Sequence, residues 1–388
     1  MSTIRLAMPC FIAVATLSAP LCGQKSGPPD FAEKLTGALY GGAIGDGMGA
    51  PVEGDPGDSV RARFTNWDFT KFIPAQTPGA AKGGGRITDD TLMSEALMRA
   101  YDHARDHLDA YGFRDFMVPE VIKTVVWLPE RQQEMAIIGR LNPIEHYAVY
   151  RLNEFGAWPW VAGAGGAQND GVAMWIMPAA AVNAGDPLAS WREAISLGAA
   201  EAGSHSAEAA ATLAAAYAAA FEPDATVESV LRAVEQVLAW GPGRVSTKGA
   251  YHDDTLAALR AVLAKVNPKD SYEQFANAML AAILPFNGSA IEEIPVALAV
   301  FRYGNGDFLR TLRAAVLYGR DADSIAGMAC GLAGALRGVN QIPPELRAAS
   351  NEANRRDFAQ IAARFHTTIL EIAEKDRARW NQRAATIR

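Results

Sequence analysis

From Thr88 onward, apolar residues recur at helical spacing, and runs alternating at strand period are nearly absent. The pattern predicts helices over 91–104, 116–127, 143–153, 187–197, 206–221, 227–240, 254–265 and 272–284. It continues with helices over 295–303, 308–318, 324–336 and 354–379. Upstream, residues 31–40 are also helical and run into a glycine-rich stretch, 41–53. A loop rich in Gly, Pro and Asp follows over 54–85. A second glycine cluster, 163–166, leads into Asn169-Asp170-Gly171 and an apolar helix containing Pro178. Alanine runs such as 207–220 suit close helix packing, since Ala joins high helix propensity to small bulk. With no internal repeat and no interdomain linker after residue 30, the expectation is one all-α domain over 31–388.

Composition narrows the partners more than the fold. The 388 residues are 49% hydrophobic and carry a formal charge of −7, without basic runs beyond short pairs. That balance argues against a nucleic-acid-binding surface. Residues 1–23 carry one basic residue, Arg5, an apolar stretch and then small residues, which reads as a secretory signal peptide followed by a linker over 24–30. The expectation is an exported chain, periplasmic or secreted, without stable membrane insertion after signal removal. The competing reading is a ragged N-terminal extension on a cytoplasmic protein. Cys10 and Cys22 would leave with the signal, and Cys330 then reads as a buried small apolar residue.

The chemistry concentrates in two short clusters, Thr88-Asp89-Asp90-Thr91 and Asp321-Ala322-Asp323-Ser324, each opening a helical run. Either alone would be a helix cap. Capping uses one oxygen at a time, however, and a doubled carboxylate at both places favours an oxygen cage for a hard divalent cation. His252-Asp253-Asp254-Thr255 echoes the first cluster but lacks a glycine-rich approach, and reads as a cap. Glycines at 327, 331 and 334 each cost a helix up to about 1 kcal/mol. They predict close approach of a neighbouring helix.

Residues 37–46 with Gly49-Ala50-Pro51-Val52-Glu53 resemble the opening motif of the ADP-ribosylglycohydrolase family. Gly85-Arg86-Ile87-Thr88-Asp89-Asp90-Thr91 resembles its second motif, and residues 321–326 its C-terminal one. Residues 169–174, Ser204-His205 and residues 292–298 resemble intervening segments, in family order. The resemblance implies an all-α orthogonal helical bundle with two Mg²⁺ ions, or Mn²⁺, and cleavage at ribose C1″ of ADP-ribosyl conjugates. It implies Thr88, Asp89, Asp90, Asp321, Asp323 and Ser324 as metal ligands. Glu53 matches the acid that approaches metal and substrate from a loop; without the resemblance it would be a solvated acid.

Glycoside cleavage needs a carboxyl group for proton transfer, and Glu53 is the candidate, with Asp89 assisting the attacking water. A glycine-rich loop offers backbone N–H groups to a diphosphate, so Gly163, Gly165 and Gly166, beside Asn169 and Gly171, are the candidate substrate cradle. His205 is a further candidate ligand contact, and Trp158, Trp160 and Trp175 are candidate adenine-stacking rings or core residues. The partner implied is an ADP-ribosylated protein or a small ADP-ribosyl or N-ribosyl conjugate, acted on by a monomer. Asp170 and Trp175 depart from the family pattern, and 113–166 lacks an evident counterpart. The rivals are a hydrolase of another N-ribosyl or nucleoside-type substrate and a noncatalytic binding or structural protein that kept the fold.

Overall fold

The computed structural model describes residues 27–166, 168–240, 255–283 and 288–388. The signal segment, Cys10, Cys22 and residues 252–254 of the second acidic echo lie outside them. The fold is all-α, with helices surrounding one hydrophobic core. Among the described residues no helix is long and apolar enough to cross a membrane.

The first helix, Phe31–Gly49, starts on a capping box: Asp30 Oδ1 accepts from Glu33 N at 2.9 Å, and Glu33 Oε2 accepts from Asp30 N at 3.0 Å. Propensity would stop it near Tyr40, where the glycines begin; instead it runs on through them. The reason is its packing against helix Ala322–Arg337. Gly37, Gly41, Gly45 and Gly49 recur every four residues and form one stripe. Opposite them stand Gly334, Cys330, Ala326 and Ala322, also at spacing four. A Cβ on Gly41 would lie 2.2 Å from Cys330 O, and one on Gly45 2.2 Å from Ala326 O. Only glycine lets the two backbones come this close, and tertiary packing overrides the local propensity. The close approach expected at Gly334 is present, against Gly37; Gly331 instead makes room for the Tyr217 hydroxyl.

Several other boundaries differ from the sequence pattern. Residues 113–117 form a π-helical turn and Val118–Lys123 an α-helix, but Trp127 belongs to strand Val125–Leu128. That strand pairs antiparallel with Gln133–Ala136, the one sheet among the described residues. β-branched Val125 and Val126, with Thr124 before them, favour the extended state over the predicted helix. Helix Ala290–Gly304 starts five residues before Pro295, which therefore sits inside it. The loop before Thr88 contains helix Gly57–Phe64, and a further helix, Pro344–Asn354, precedes the C-terminal helix Phe358–Thr386. Cys330 is buried, as expected.

Candidate active site

The turn that opens helix Asp89–Ala104 is held from below by a residue of the glycine-rich opening motif. Asp46, fully buried on the first helix, accepts from Thr88 N with both oxygens at 3.0 Å. The same carboxylate accepts from Thr91 Oγ1 at 2.5 Å and Thr91 N at 3.3 Å. Burial and the nearby Asp323 push Asp46 up to about 7, against the lowering effect of these bonds. On the other side, Asn354 accepts from Ile87 N at 3.0 Å and donates to Gly85 O at 2.9 Å. The Thr88–Asp90 turn is thereby fixed between the first helix and the C-terminal part of the chain.

Asp321 and Asp323 arrive on the first turn of helix Ala322–Arg337, the partner of the glycine stripe. Close packing thus places Asp323 near enough to Asp46 to raise the cost of ionising Asp46. Asp90 is pushed well above the usual carboxylate range, chiefly by burial and then by Asp46, Asp323, Asp89 and Asp170. Asp321 is raised by burial and then by Asp170, Glu293, Asp323 and Asp90. Thr88 donates its hydroxyl to Asp90 Oδ2 at 3.0 Å, and the Ser324 hydroxyl bonds Asp170. Asp89, Asp90, Asp321 and Asp323 are thus linked as electrostatic neighbours, with Thr88 tied to Asp90 and Ser324 to Asp170.

Glu53 is exposed, on the loop after the short helical turn Ala50–Val52. Its position follows from a two-bond clasp: Gly54 N donates to Arg320 O at 2.6 Å, and Arg320 N donates to Asp55 O at 2.7 Å. The clasp brings Glu53 beside Asp321. Lys82 pairs with Glu53 and lies 3.4 Å from Asp323 Oδ2. Asp89 faces a different cation: Arg140 Nη2 lies 2.8 Å from its Oδ1, while Arg140 Nε pairs with Glu130. Glu53, Lys82, Asp89, Glu130 and Arg140 line an open cleft of about 640 Å³.

Whether a cation belongs here can be judged from the acids themselves. Oxygens of Glu53, Asp321 and Asp323 lie within 4.8 Å of one another, and so do those of Asp170, Glu293 and Asp321. Asp90 Oδ1, Asp170 Oδ2, Glu293 Oε2 and Asp323 Oδ1 are buried without a hydrogen-bond partner. Orphaned carboxylate oxygens are costly unless protonated or bound to a cation. An all-oxygen donor set of this density fits a hard divalent ion.

The proposed substrate contacts are dispersed. Gly163 N donates to Ala199 O at 3.1 Å and Gly166 N to Gly163 O at 2.9 Å, so these two amides are spent within the fold. Arg151 holds the same loop through Ala162 O and Ala164 O. Gly165 lines a separate cavity of about 500 Å³ with Trp160, Gln168 and Trp191. Gly171 and His205 are buried, Asn169 is half-buried, and His205 N donates to Gln168 Oε1 at 2.9 Å. Burial lowers the His205 pKa, which favours the neutral ring. Trp175 is a core residue stacked on Phe113, whereas Trp158 and Trp160 face solvent. Sequence reasoning missed Asp46, Lys82, Glu130, Arg140, Asp170 and Glu293 as members of the acidic region. Doubled Glu292-Glu293 was the one signal available, since paired acids had already marked the two main clusters.

Residues 27–377 match the model of a family described as ADP-ribosylglycohydrolase. The chain is 25% identical over 333 residues to Uncharacterized protein YegU of Escherichia coli (strain K12), covering 85% of this chain and 95% of that one. Among solved structures it is similar in fold to one described as an ADP-ribosylglycohydrolase-related protein complex. The TM-score is 0.58 at 22% identity, over 88% of this chain and 99% of that one.

Proposed function

Because the chain belongs to the ADP-ribosylglycohydrolase family, we propose that it hydrolyses the glycosidic bond at ribose C1″ of ADP-ribosyl conjugates, supported by two Mg²⁺ or Mn²⁺ ions. The observation that carries the reading is the set of orphaned buried carboxylate oxygens gathered around Asp321 and Asp323. Thr88, Asp89, Asp90, Asp321, Asp323 and Ser324 would hold the ions. When bound, divalent ions in such a site polarise substrate oxygens and lower the pKa of an attacking water.

The chain's own residues supply the rest. Asp89, oriented by Arg140, accepts a proton from the water. Glu53 faces the cleft from its clasped loop and transfers the proton that the leaving group requires. Asp46 does not touch substrate; it fixes the Thr88–Thr91 turn on which Asp89 and Asp90 are carried. A carboxylate-lined cleft suits the oxocarbenium-like charge that develops at C1″.

A second reading has a specific observation behind it. The Gly163 and Gly166 amides are already donated, and their loop faces a different cavity from the acidic cleft. A ribosyl substrate without a diphosphate, such as a simple nucleoside, needs no such cradle. The discriminating experiment incubates the full chain and Mg²⁺ with ADP-ribosyl-arginine, ADP-ribosyl-serine, O-acetyl-ADP-ribose and a panel of nucleosides. Release of ADP-ribose supports the first reading, and release of free base from nucleosides alone replaces it with the second. Ligand binding without turnover of any substrate would make this a noncatalytic member of the fold.

A further inference from the structure

We propose that Asp170 and Glu293 form, with Asp321, an inner divalent-cation site, making Asp321 the ligand shared by two neighbouring ions. The proposal rests on the metal-site reading above and extends it to two residues outside the paired acidic clusters.

The geometry supplies the first support. Among the described residues, two groups of three carboxylates bring their oxygens within 4.8 Å of one another, and Asp321 is common to both. Glu53 and Asp323 complete the group open to the cleft; Asp170 and Glu293 complete the enclosed one. Asp170 is 4% exposed and Glu293 1% exposed. Neither helical segment at which they lie carries a side-chain capping hydrogen bond at its start. Asp170 lies in the turn before the short helical segment Ala173–Trp175, with its carbonyl accepting from Ala173 N and Met174 N. Glu293 lies on the first turns of helix Ala290–Gly304.

The second, independent support is that each of these side chains carries a buried oxygen with no hydrogen-bond partner, Asp170 Oδ2 and Glu293 Oε2. Burial of an unpartnered carboxylate is unfavourable, so two of them beside Asp321 call for positive charge between them. The neighbouring acid shows the contrast. Glu292 is satisfied by Arg320, with Arg320 Nε at 2.6 Å and Nη2 at 3.0 Å, and by the Tyr318 hydroxyl at 2.9 Å. This pair locks the start of the helix to the residue preceding Asp321, which sets Glu293 and Asp321 facing each other. The fold thus has an arginine for Glu292 and leaves the Glu293 oxygen open.

A shared proton is the alternative way to neutralise the same pair, and the experiment separates the two. Mn²⁺ is titrated calorimetrically into the metal-stripped full chain and into Asp170→Asn, Glu293→Gln and Asp323→Asn. Melting of each protein is followed with and without Mn²⁺. The proposal predicts two ions for the wild type. It predicts at least about tenfold weaker binding of one ion, with the other retained, for Asp170→Asn and for Glu293→Gln. The amide variants should melt no lower than the wild type without metal, because each removes a buried charge, yet gain less from Mn²⁺. Wild-type binding of both ions by Asp170→Asn and Glu293→Gln, with loss in Asp323→Asn, overturns this proposal alone. No binding by the wild type overturns the metal-site reading as well.

Discussion

Gly45→Ala tests whether the glycine stripe builds the site. The added methyl would stand 2.2 Å from Ala326 O and 2.4 Å from its carbonyl carbon, where ordinary contact begins at 3.4 Å. Both obstacles are backbone, so relief requires the two helices to part by roughly 1 Å. Overpacking of this kind costs about 1–3 kcal/mol or more, and the displaced partners are core helices. Ordinary helical Gly→Ala substitution gains about 1 kcal/mol, which offsets part of the loss. Because both obstacles are backbone, the upper end of that range applies, and the net expectation is a loss of about 2 kcal/mol in urea unfolding followed by circular dichroism. Gly42 provides the internal control: a Cβ there meets only Gly327 O, at 3.9 Å. Gly42→Ala should be neutral or stabilising by up to about 1 kcal/mol. Because Asp46 follows Gly45, Mn²⁺ affinity should fall in Gly45→Ala and hold in Gly42→Ala. Equal stability of Gly45→Ala and wild type, or equal damage by both substitutions, would refute the reasoning.

Three further outcomes follow from individual side chains. Asp46→Ala strands Thr88 N in the core, so it should lose about 1–3 kcal/mol in the same urea assay and weaken Mn²⁺ binding. Lys82→Met removes the cation that stands between Glu53 and Asp323, so calorimetry should record tighter Mn²⁺ binding than in the wild type. His107 is raised to about 9: burial opposes its charge, but Glu193 at 2.6 Å and Asp376 at 2.9 Å outweigh it. Its folded pKa exceeds the unfolded value of 6.5, so its contribution is complete below about 6.5 and lost as pH rises through about 9. Thermal melting from pH 6 to 10 should show that decline, worth about 3 kcal/mol at most, and His107→Gln should flatten it.

The two acidic clusters were legible because each doubles a carboxylate at a helix start, more than capping requires. Their convergence was visible only through the resemblance, since the glycine stripe that brings Asp46 to Asp323 reads locally as a helix breaker. Glycines at spacing four on one helix, opposite small residues at spacing four on another, form a long-range pattern that no single window contains. For the proposed diphosphate cradle the local signal was incomplete for a related reason. Glycine richness at Gly163–Gly166 announces free backbone amides, but whether those amides are free depends on Ala199 and Arg151, far along the chain or beside it. Asp170 stands out in the sequence only as a departure from the family pattern; its burial next to Asp321 places it among the acids. Trp175 was noticed for the same reason and is core.

The central claim is that these acids support metal-dependent glycosidic cleavage. The direct measurement strips the full chain of metal, supplies ADP-ribosyl-arginine, ADP-ribosyl-serine and O-acetyl-ADP-ribose, and follows free ADP-ribose with and without Mg²⁺ or Mn²⁺. The account predicts release from at least one substrate only when metal is restored, and at least about 100-fold slower release by Asp323→Asn. Release that proceeds unchanged without metal, or no release from any of the three with metal present, would contradict it.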